Sequence, residues 1–455
     1  MNNHINRRNF LRALGVSGIT AGVGDILTQP AFAQAIGESS GFKSSVIAEN
    51  KHQDQTRHAR LIDGHVIQPE RTLPILSQTE VLVVGGGPAG IVAALAARRA
   101  GSSVTLVERY GHFGGLWTGG LVLLIMGHIV SGGQQVCQGI GEEIMRRLDK
   151  MDGAIINRKP GANPTVDAEA VKYLMVEMIE EAGIEVFLHC SGVDTIMEGQ
   201  TARGAVFESK SGRQAVLAQV VVDATGDGDL FAAAGAEFEH RSHNVGLVSR
   251  IGNLDKINLT KAAHSPKPRR MGLGTPIVGV NWVNLRGPEV DGLDIATLTR
   301  MEMEQRKIIW KEIQKTRKTP GHDKVYLLET APQLGVRITR ILRGVNTIRL
   351  ADLKANTRFD DVVGVGGAAS GEHQAWQIPY GALVPTKINN VLATGRCVSM
   401  DIRMADLVRL IPNCFVTGHA AGVAAAVAVQ DRCLVRDADV TKIQRILRIQ
   451  KAYLG

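Results

Sequence analysis

The sequence predicts an α/β protein with a central parallel sheet, and three observations carry that expectation. The first is a short apolar run, Glu80-Val81-Leu82-Val83-Val84, suited to a strand buried on both faces. The second is Gly85-x-Gly87-x-x-Gly90, which follows at once and opens a helix over 88–100, with Pro88 in its first turn and Gly101 just past its end. The third is a second apolar strand over 103–107 that ends in Glu108, 18 residues after Gly90. Strand, glycine loop, helix, strand and acid in this order make a Rossmann-like dinucleotide-binding unit.

Each part has a physical task. Gly85 permits the tight turn, Gly87 lets backbone approach a pyrophosphate, and Gly90 lets the helix pack against the strand. The helix N-terminus at Pro88 and Ala89 offers free N–H groups and partial positive charge to phosphates. Glu108 accepts hydrogen bonds from a ribose.

Bulk properties narrow the field. A chain of 455 residues suggests two domains or three. Aromatic residues make up only 4%, which argues against a base-stacking nucleic-acid binder. The net charge of +8 contains no run of five like charges, so it reads as a solvated surface and no nucleic-acid partner is expected. None of the five cysteines has C-x-x-C spacing, so no metal motif is expected, and the odd count excludes complete internal pairing.

Residues 1–33 read as a targeting segment. Asn6-Arg7-Arg8-Asn9-Phe10-Leu11-Arg12 precedes a mild apolar stretch over 13–27 and then Ala31-Phe32-Ala33, an A-x-A cleavage pattern. The stretch is too short and polar for a membrane span, which takes ~20 apolar residues. The whole resembles a twin-arginine signal, which implies the twin-arginine translocase as partner and a periplasmic location, with no membrane span in the mature chain. Residues 34–78 read as a linker, with some structure near 62–67.

Further along, a glycine-rich stretch holds Gly111, Gly114, Gly115, Gly119 and Gly120, which lets backbone lie against a long flat ligand. A strand over 219–222 ends in Asp223-Ala224-Thr225-Gly226-Asp227, and another over 390–394 ends in Gly395-Arg396. Ile411-Pro412-Asn413-Cys414 then opens an Ala/Gly-rich helix to about 429. The reading is therefore a cofactor domain in two parts, 79–236 and 378–455. A substrate or cap domain of α+β type is inserted over 237–377. Its expected strands are 245–251, 278–285 and 324–329. Its expected helix is 294–315, with Ile295, Leu298, Ile308 and Ile309 at helical spacing. Gly364-Val365-Gly366-Gly367 reads as a turn, so no NAD(P)H domain is expected.

These motifs resemble the FAD-dependent oxidoreductases with a glutathione-reductase-like FAD domain, distantly related to the fumarate reductase flavoproteins. The matching pieces are Val84 to Gly90, Glu108-Arg109-Tyr110-Gly111, Gly114-Gly115, Asp223 to Gly228, Ile378-Pro379-Tyr380 with Leu383-Val384-Pro385, Ala393 to Cys397, and Thr417 to Gly422. The resemblance implies FAD as cofactor. It implies FAD contacts at Arg109, Gly114, Gly115, Val193, Ala224, Thr225, Gly226, Asp227, Gly395, Arg396, Pro412, Asn413 and Gly418. The helix starting near Pro412 would point its N-terminus at the flavin N1/O2 edge, where a reduced flavin carries negative charge.

The implied reaction is hydride transfer to or from flavin N5 with a small organic substrate, and a cytochrome, a quinone or oxygen as acceptor. His373 is the first candidate for the base, because the family keeps a histidine before a run similar to Ile378-Pro379-Tyr380. Arg409 is the candidate to reach flavin O2 or a substrate carboxylate, and Tyr380 to orient substrate. The chain departs from the resemblance at Met400 to Asp406, where relatives carry histidines, and at Gly335-Val336-Arg337-Ile338, where an acid often follows the arginine. Two alternatives stand beside this reading: a fumarate-reductase-type reductase fed by an electron-transfer partner, and a flavin carrier with no substrate of its own.

Overall fold

Four short stretches of backbone come into line through one long strand, and they place the site. The computed structural model describes residues 58–130, 132–156, 163–263, 271–368 and 375–455. The twin-arginine segment and His373 lie outside the described residues. The described chain divides into two units at Thr72. In the first, β1 (Arg60–Ile62) and β2 (His65–Ile67) form an antiparallel hairpin around Asp63 and Gly64, the structure expected near 62–67.

In the second unit, β3 (Ile75–Val84) starts inside the stretch read as linker. Next come α1 (Pro88–Arg99), β4 (Val104–Val107), α2 (Ala168–Glu181) and β5 (Glu185–Phe187). An antiparallel meander follows, made of β6 (Ser191–Glu198), β7 (Thr201–Ser209) and β8 (Gly212–Asp223), and then the short α3 (Asp229–Ala233).

The central sheet has seven strands. Its path is β5-β4-β3-β8-β7-β6, parallel from β5 to β8 and antiparallel thereafter. The C-terminal half of β8 also pairs in parallel with a seventh strand, over 391–393. Residues 219–222 were expected as the whole of β8. The strand is three times longer because residues 212–217 pair with β7, residues 215–223 with β3 and residues 221–223 with Val391–Ala393. Its parallel members are buried on both faces: β4 and the last four residues of β3 have no exposed position.

The cap is a four-stranded antiparallel sheet of β9 (His243–Gly252), β10 (Leu273–Gly274), β11 (Asn281–Val290) and β12 (Tyr326–Thr330), in the order β10-β11-β9-β12. The helix α4 (Ile295–Arg317) lies between β11 and β12 in sequence, and Asp294 caps it by accepting from the Ala296 and Thr297 amides at 3.2 Å. Its buried stripe is Met301, Gln305, Ile309 and Ile313, spaced by four. Ile295 and Ile308, expected on that face, are exposed, because the buried arc is narrow and passes through Met301 instead. The strand expected at 278–285 begins three residues later, past the turn in which the Thr275 hydroxyl donates to the Val280 carbonyl at 2.9 Å.

Residues 364–367 were expected as a turn and are a strand. They belong to β13 (Val362–Gly367), which pairs with β14 (Ala375–Pro379). The glycines are there for close packing: a Cβ on Gly367 would sit 2.4 Å from the Gly127 carbonyl oxygen, and one on Gly364 2.2 Å from Val416. The strand over 391–393 is β15 (Val391–Ala393), and α5 (Ile411–Asp431) follows it.

Helix α5 is apolar and long enough to cross a membrane, yet 94% of its most apolar window is buried inside the protein. It crosses α1 at near-contact of the backbones. A Cβ on Gly418 would lie 2.2 Å from the Ala89 carbonyl oxygen, and one on Gly422 2.1 Å from that of Ala93. Small residues at both crossings let Ile91, Val92 and Leu95 of α1 and Phe415 and Val423 of α5 join one core.

Candidate active site

The register of the parallel strands fixes where a ligand lies. Val84 is opposite both Val107 and Asp223, and Asp223 is opposite Ala393, so four strands end at one edge of the sheet. The residues that follow these ends, Gly85, Glu108, Ala224 and Thr394-Gly395, all line a single cavity. This is the crevice outside the carboxyl ends of parallel strands where open α/β sheets bind ligands.

The glycine loop behaves as its spacing predicts. Gly85 takes a φ of +106°, and a Cβ there would lie 2.3 Å from the Ala224 carbonyl oxygen. A Cβ on Gly90 would lie 1.7 Å from the Gly85 carbonyl oxygen, so Gly90 serves the contact of α1 with the loop and does not line the cavity. Gly87 differs, since a Cβ there would meet only the Gly115 Cα, at 4.0 Å. The space beside Gly87 is cavity, and a ligand can touch its backbone. Pro88 and Ala89, at the N-terminus of α1, complete this wall.

Glu108 is 5% exposed. Its Oε2 accepts from the Gly86 amide at 2.6 Å and its Oε1 from the Tyr110 amide at 2.8 Å. One carboxylate thus braces the glycine loop and its own turn while lining the cavity. Arg109 and Gly115 line it as expected. Gly114 does not, because its amide donates to the Gly86 carbonyl at 2.8 Å and tightens the loop.

Ala224, Thr225 and Gly226 line the cavity, but the acids around them are braces. Asp223 is fully buried. It accepts from the Thr225 amide and hydroxyl at 3.1 and 2.7 Å and from the Leu230 and Phe231 amides at 2.9 Å. Burial first, and Asp229 second, push its carboxyl up to about 6. Asp227 was expected to touch the cofactor. Instead it accepts from the Thr339 hydroxyl at 2.9 Å and pairs with Arg396 at 3.2 Å, outside the lining. Arg396 lines the cavity and also donates to the Arg337 carbonyl at 2.7 Å; burial works against its charge, and Asp227 more than offsets that. Val193 is exposed and outside the lining, whereas Ser191 and Gly192 before it are part of the wall.

At the start of α5, Ile411 and Cys414 line the cavity, so this helix presents its N-terminus there. Pro412 and Asn413 face away. The Asn413 side chain accepts from the Gly367 amide at 2.8 Å and donates to the Gly367 carbonyl at 2.9 Å and the Leu407 carbonyl at 2.8 Å. Gly418 is spent on the crossing with Ala89. All three were expected at the cofactor, and they hold the helix that reaches it.

The candidate catalytic residues part company. Arg409 lines the cavity and is held by Asp406, to which its Nε and a terminal nitrogen donate at 3.0 and 2.6 Å. Tyr380 does not: it is 4% exposed, and its hydroxyl donates to the Val435 carbonyl. A substrate-orienting role for Tyr380 is corrected to a packing role. Residue 373 is not among those described.

The cap contributes residues that were not among the expected site residues, although Gly335 and Arg337 stand in a motif that the sequence singled out. Gly246 and Val248 from β9, Trp282 and Asn284 from β11, and Gln333, Gly335 and Arg337 all line the same cavity. An isolated bridge between Gly246 and Gly335 brings the last three to the sheet. The signal was present, since Trp282 and Asn284 are two apart on one strand and so share a face.

The chemistry of the wall fits a long ligand with a polar and a flat part. Thr394 Oγ1 and Trp117 Nε1 are buried at the wall without a protein partner, each able to serve a bound polar group. Beside them stand the open backbone of Gly87, the Glu108 carboxylate and the N-termini of α1 and α5. These are the features a dinucleotide with a pyrophosphate and a redox ring requires.

Comparison with known proteins agrees. The sequence model of the FAD dependent oxidoreductase family matches residues 80–249 and 250–447. The glutamate synthase [NADPH] small chain of Mycobacterium tuberculosis is 36% identical over 113 residues, 25% of this chain and 20% of that one. The 6-methylpretetramide 4-monooxygenase of Streptomyces rimosus is 30% identical over 164 residues, 33% of this chain and 39% of that one. The chain thus spans well under half the length of these curated relatives. A geranylgeranyl bacteriochlorophyll reductase-like structure from Thermoplasma acidophilum superposes with a TM-score of 0.43 and 15% identity, covering 82% of this chain and 83% of that one. With the family match running through both parts of the cofactor fold and the cap between them, the chain belongs to the FAD dependent oxidoreductase family and is an FAD-dependent enzyme.

Proposed function

We propose that this enzyme oxidises or reduces a small organic molecule in the part of the cavity roofed by the cap sheet. One observation carries the reading: the cap gives that roof polar and aromatic side chains, Trp282, Asn284, Gln333 and Arg337, as well as apolar ones. A flavin carrier without a substrate needs only an apolar cover, whereas a converging set of polar groups is what a substrate site needs.

The division of labour follows from the geometry. Bound FAD supplies the two-electron chemistry of its ring. Trp282 and Val248 exclude water from the roofed end. The N-terminus of α5, at Ile411 and Cys414, favours negative charge that develops beside it. Arg409, clamped by Asp406, presents a fixed cation. His373 is the proposed proton acceptor on its place in the sequence before Ile378-Pro379-Tyr380 alone, with Arg409 and the roof orienting the substrate.

The reading also includes export by the twin-arginine route, with a cytochrome, a quinone or oxygen as acceptor outside the cytoplasm. It is supported by the order of Arg7-Arg8, Phe10-Leu11, a mild apolar stretch and Ala31-Phe32-Ala33. Replacing Arg7 and Arg8 together by lysine should leave the protein in the cytoplasmic fraction; equal export of the variant would refute the route.

The test of the enzyme reading is an anaerobic titration of the FAD-loaded protein with small organic compounds, following flavin absorption. Bleaching by one compound, slowed in His373→Ala, is expected. A flavin bleached only by an artificial reductant would favour the reductase or carrier alternatives.

A further inference from the structure

The roofed end of the cavity carries a guanidinium that the protein does not neutralise. Arg337 donates to the Asn244 carbonyl, and among the described residues no carboxylate lies within ion-pair distance of it. Burial, and then the charges of Arg409 and Arg286, push its pKa down to about 10, with Asp406 acting the other way. Asp406 acts on Arg337 only at a distance, because it holds Arg409 at 2.6 Å and stands 3.6 Å from His243. Of the other cavity arginines at the strand ends, Arg396 has Asp227, and Arg109 lies over the Tyr110 ring at 5.0 Å. Arg337 and Arg409 therefore face one space with one acid between them.

Two further buried atoms along the cap side of the cavity lack partners. Trp282 is 8% exposed, its Nε1 is buried without a hydrogen bond, and the residue lines the cavity opposite Arg250, six residues along β9 from the Asn244 carbonyl that Arg337 holds. The Gln333 Oε1 is also buried without a partner, and its amide turned over presents an NH2 donor at that point. A buried donor left without an acceptor costs about 1–3 kcal/mol, so a site that keeps one is built to be completed by a ligand. The guanidinium groups of Arg337 and Arg409 offer donors only, and what completes such a pair is an acceptor-only group. Val122, Leu124, Met126 and Val248 give the same cavity an apolar stretch of wall.

We propose that the substrate is an organic acid: its carboxylate sits between Arg337 and Arg409, and its apolar body lies along the aliphatic wall. This rests on the reading of the roofed cavity as the substrate site. It adds the substrate class and assigns Arg337 as the residue that selects it. A planar carboxylate matches the guanidinium fork with two parallel hydrogen bonds, which a neutral amide of the same shape cannot offer.

The test uses the FAD-loaded full chain and four probes in two isosteric pairs, benzoate with benzamide and butyrate with butyramide. Binding is read as perturbation of the flavin spectrum. The carboxylate of each pair should bind at least about tenfold tighter than its amide, the scale of a charge-assisted bidentate contact. In Arg337→Gln that preference should vanish while FAD content stays that of wild type, and Arg337→Lys should restore part of it through charge alone. Amides that bind as well as carboxylates to the wild type would overturn the proposal and leave the enzyme reading standing. A carboxylate preference that survives in Arg337→Gln would overturn the assignment of Arg337. Probes that leave the flavin untouched, in a protein that a substrate still bleaches, would show that the acid-binding end is not where that substrate binds and would overturn it as well.

Discussion

Asn413 and Gly367 exchange a pair of hydrogen bonds, 2.8 Å from the Gly367 amide to Asn413 and 2.9 Å from Asn413 to the Gly367 carbonyl. The side chain copies the pairing of a neighbouring strand, and so fixes the end of β13 to the first turn of α5. Asn413→Leu keeps the volume and orphans both backbone groups, together with the Leu407 carbonyl. At about 1–3 kcal/mol for each buried group left unpaired, the variant should lose several kcal/mol of stability. Urea unfolding of the FAD-free protein measures it. A midpoint shift worth under about 1 kcal/mol would show that the pair does not fasten the helix.

Gly87 and Gly90 are three residues apart and should respond in opposite ways. An added methyl at Gly90 collides with the Gly85 carbonyl oxygen, whereas one at Gly87 meets nothing closer than 4.0 Å. Gly90→Ala should therefore lower the stability of the FAD-free protein by about 1–3 kcal/mol or more, the cost of overpacking. Gly87→Ala should leave that stability unchanged and weaken FAD binding by at least about tenfold, because the methyl stands where the ligand meets backbone. Calorimetry of the FAD-free proteins and fluorescence titration with FAD separate the two. Equal losses of stability would refute the division of roles.

The contrast shows what was legible in the sequence. The unit from Glu80 to Glu108 is local, so loop, helix and both strands could be read from periodicity and glycine spacing. The alignment of Asp223 with Val84 and Ala393 joins segments more than 130 residues apart, and no local pattern encodes it. For the same reason the cap residues were missed: Arg337 reaches the cavity only through the bridge between Gly246 and Gly335. Asp227, Asn413 and Gly418 teach a different lesson. They sit inside motifs that bind the cofactor, yet their side-chain positions serve the protein's own contacts. A motif records what holds a loop in shape as well as what touches the ligand.

Glu108 does both jobs, which makes its variant informative. With both carboxylate oxygens accepting backbone amides, Glu108→Gln leaves one amide facing an NH2 group. The glycine loop should loosen, and affinity for FAD should fall by about tenfold, the equivalent of one lost hydrogen bond to a charged acceptor. An FAD dissociation constant equal to that of wild type would sink the role of the acid.

His419 sets a limit on acid stability. It is 3% exposed in the middle of α5, and its Nε2 lies 2.8 Å from the Gln450 Oε1. Burial pulls its pKa down to about 4, against the Gln450 contact, which raises it. The folded value lies below the ordinary 6.5 of an unfolded chain. The contribution of neutral His419 is therefore fully present above 6.5 and is lost as pH falls through that range to about 4, where the unfolded state takes a proton that the folded state refuses. At about 1.4 kcal/mol per unit over 6.5 to about 4, the loss comes to about 3.5 kcal/mol. His419→Gln carries no proton to take up, so its stability should decline less steeply between pH 6.5 and 4. Urea midpoints across that range should diverge on the acid side; parallel curves would mean that the imidazole is already charged, or that another group governs the acid limb. Because α5 also presents its N-terminus to the cavity, FAD release should follow the same curve as unfolding.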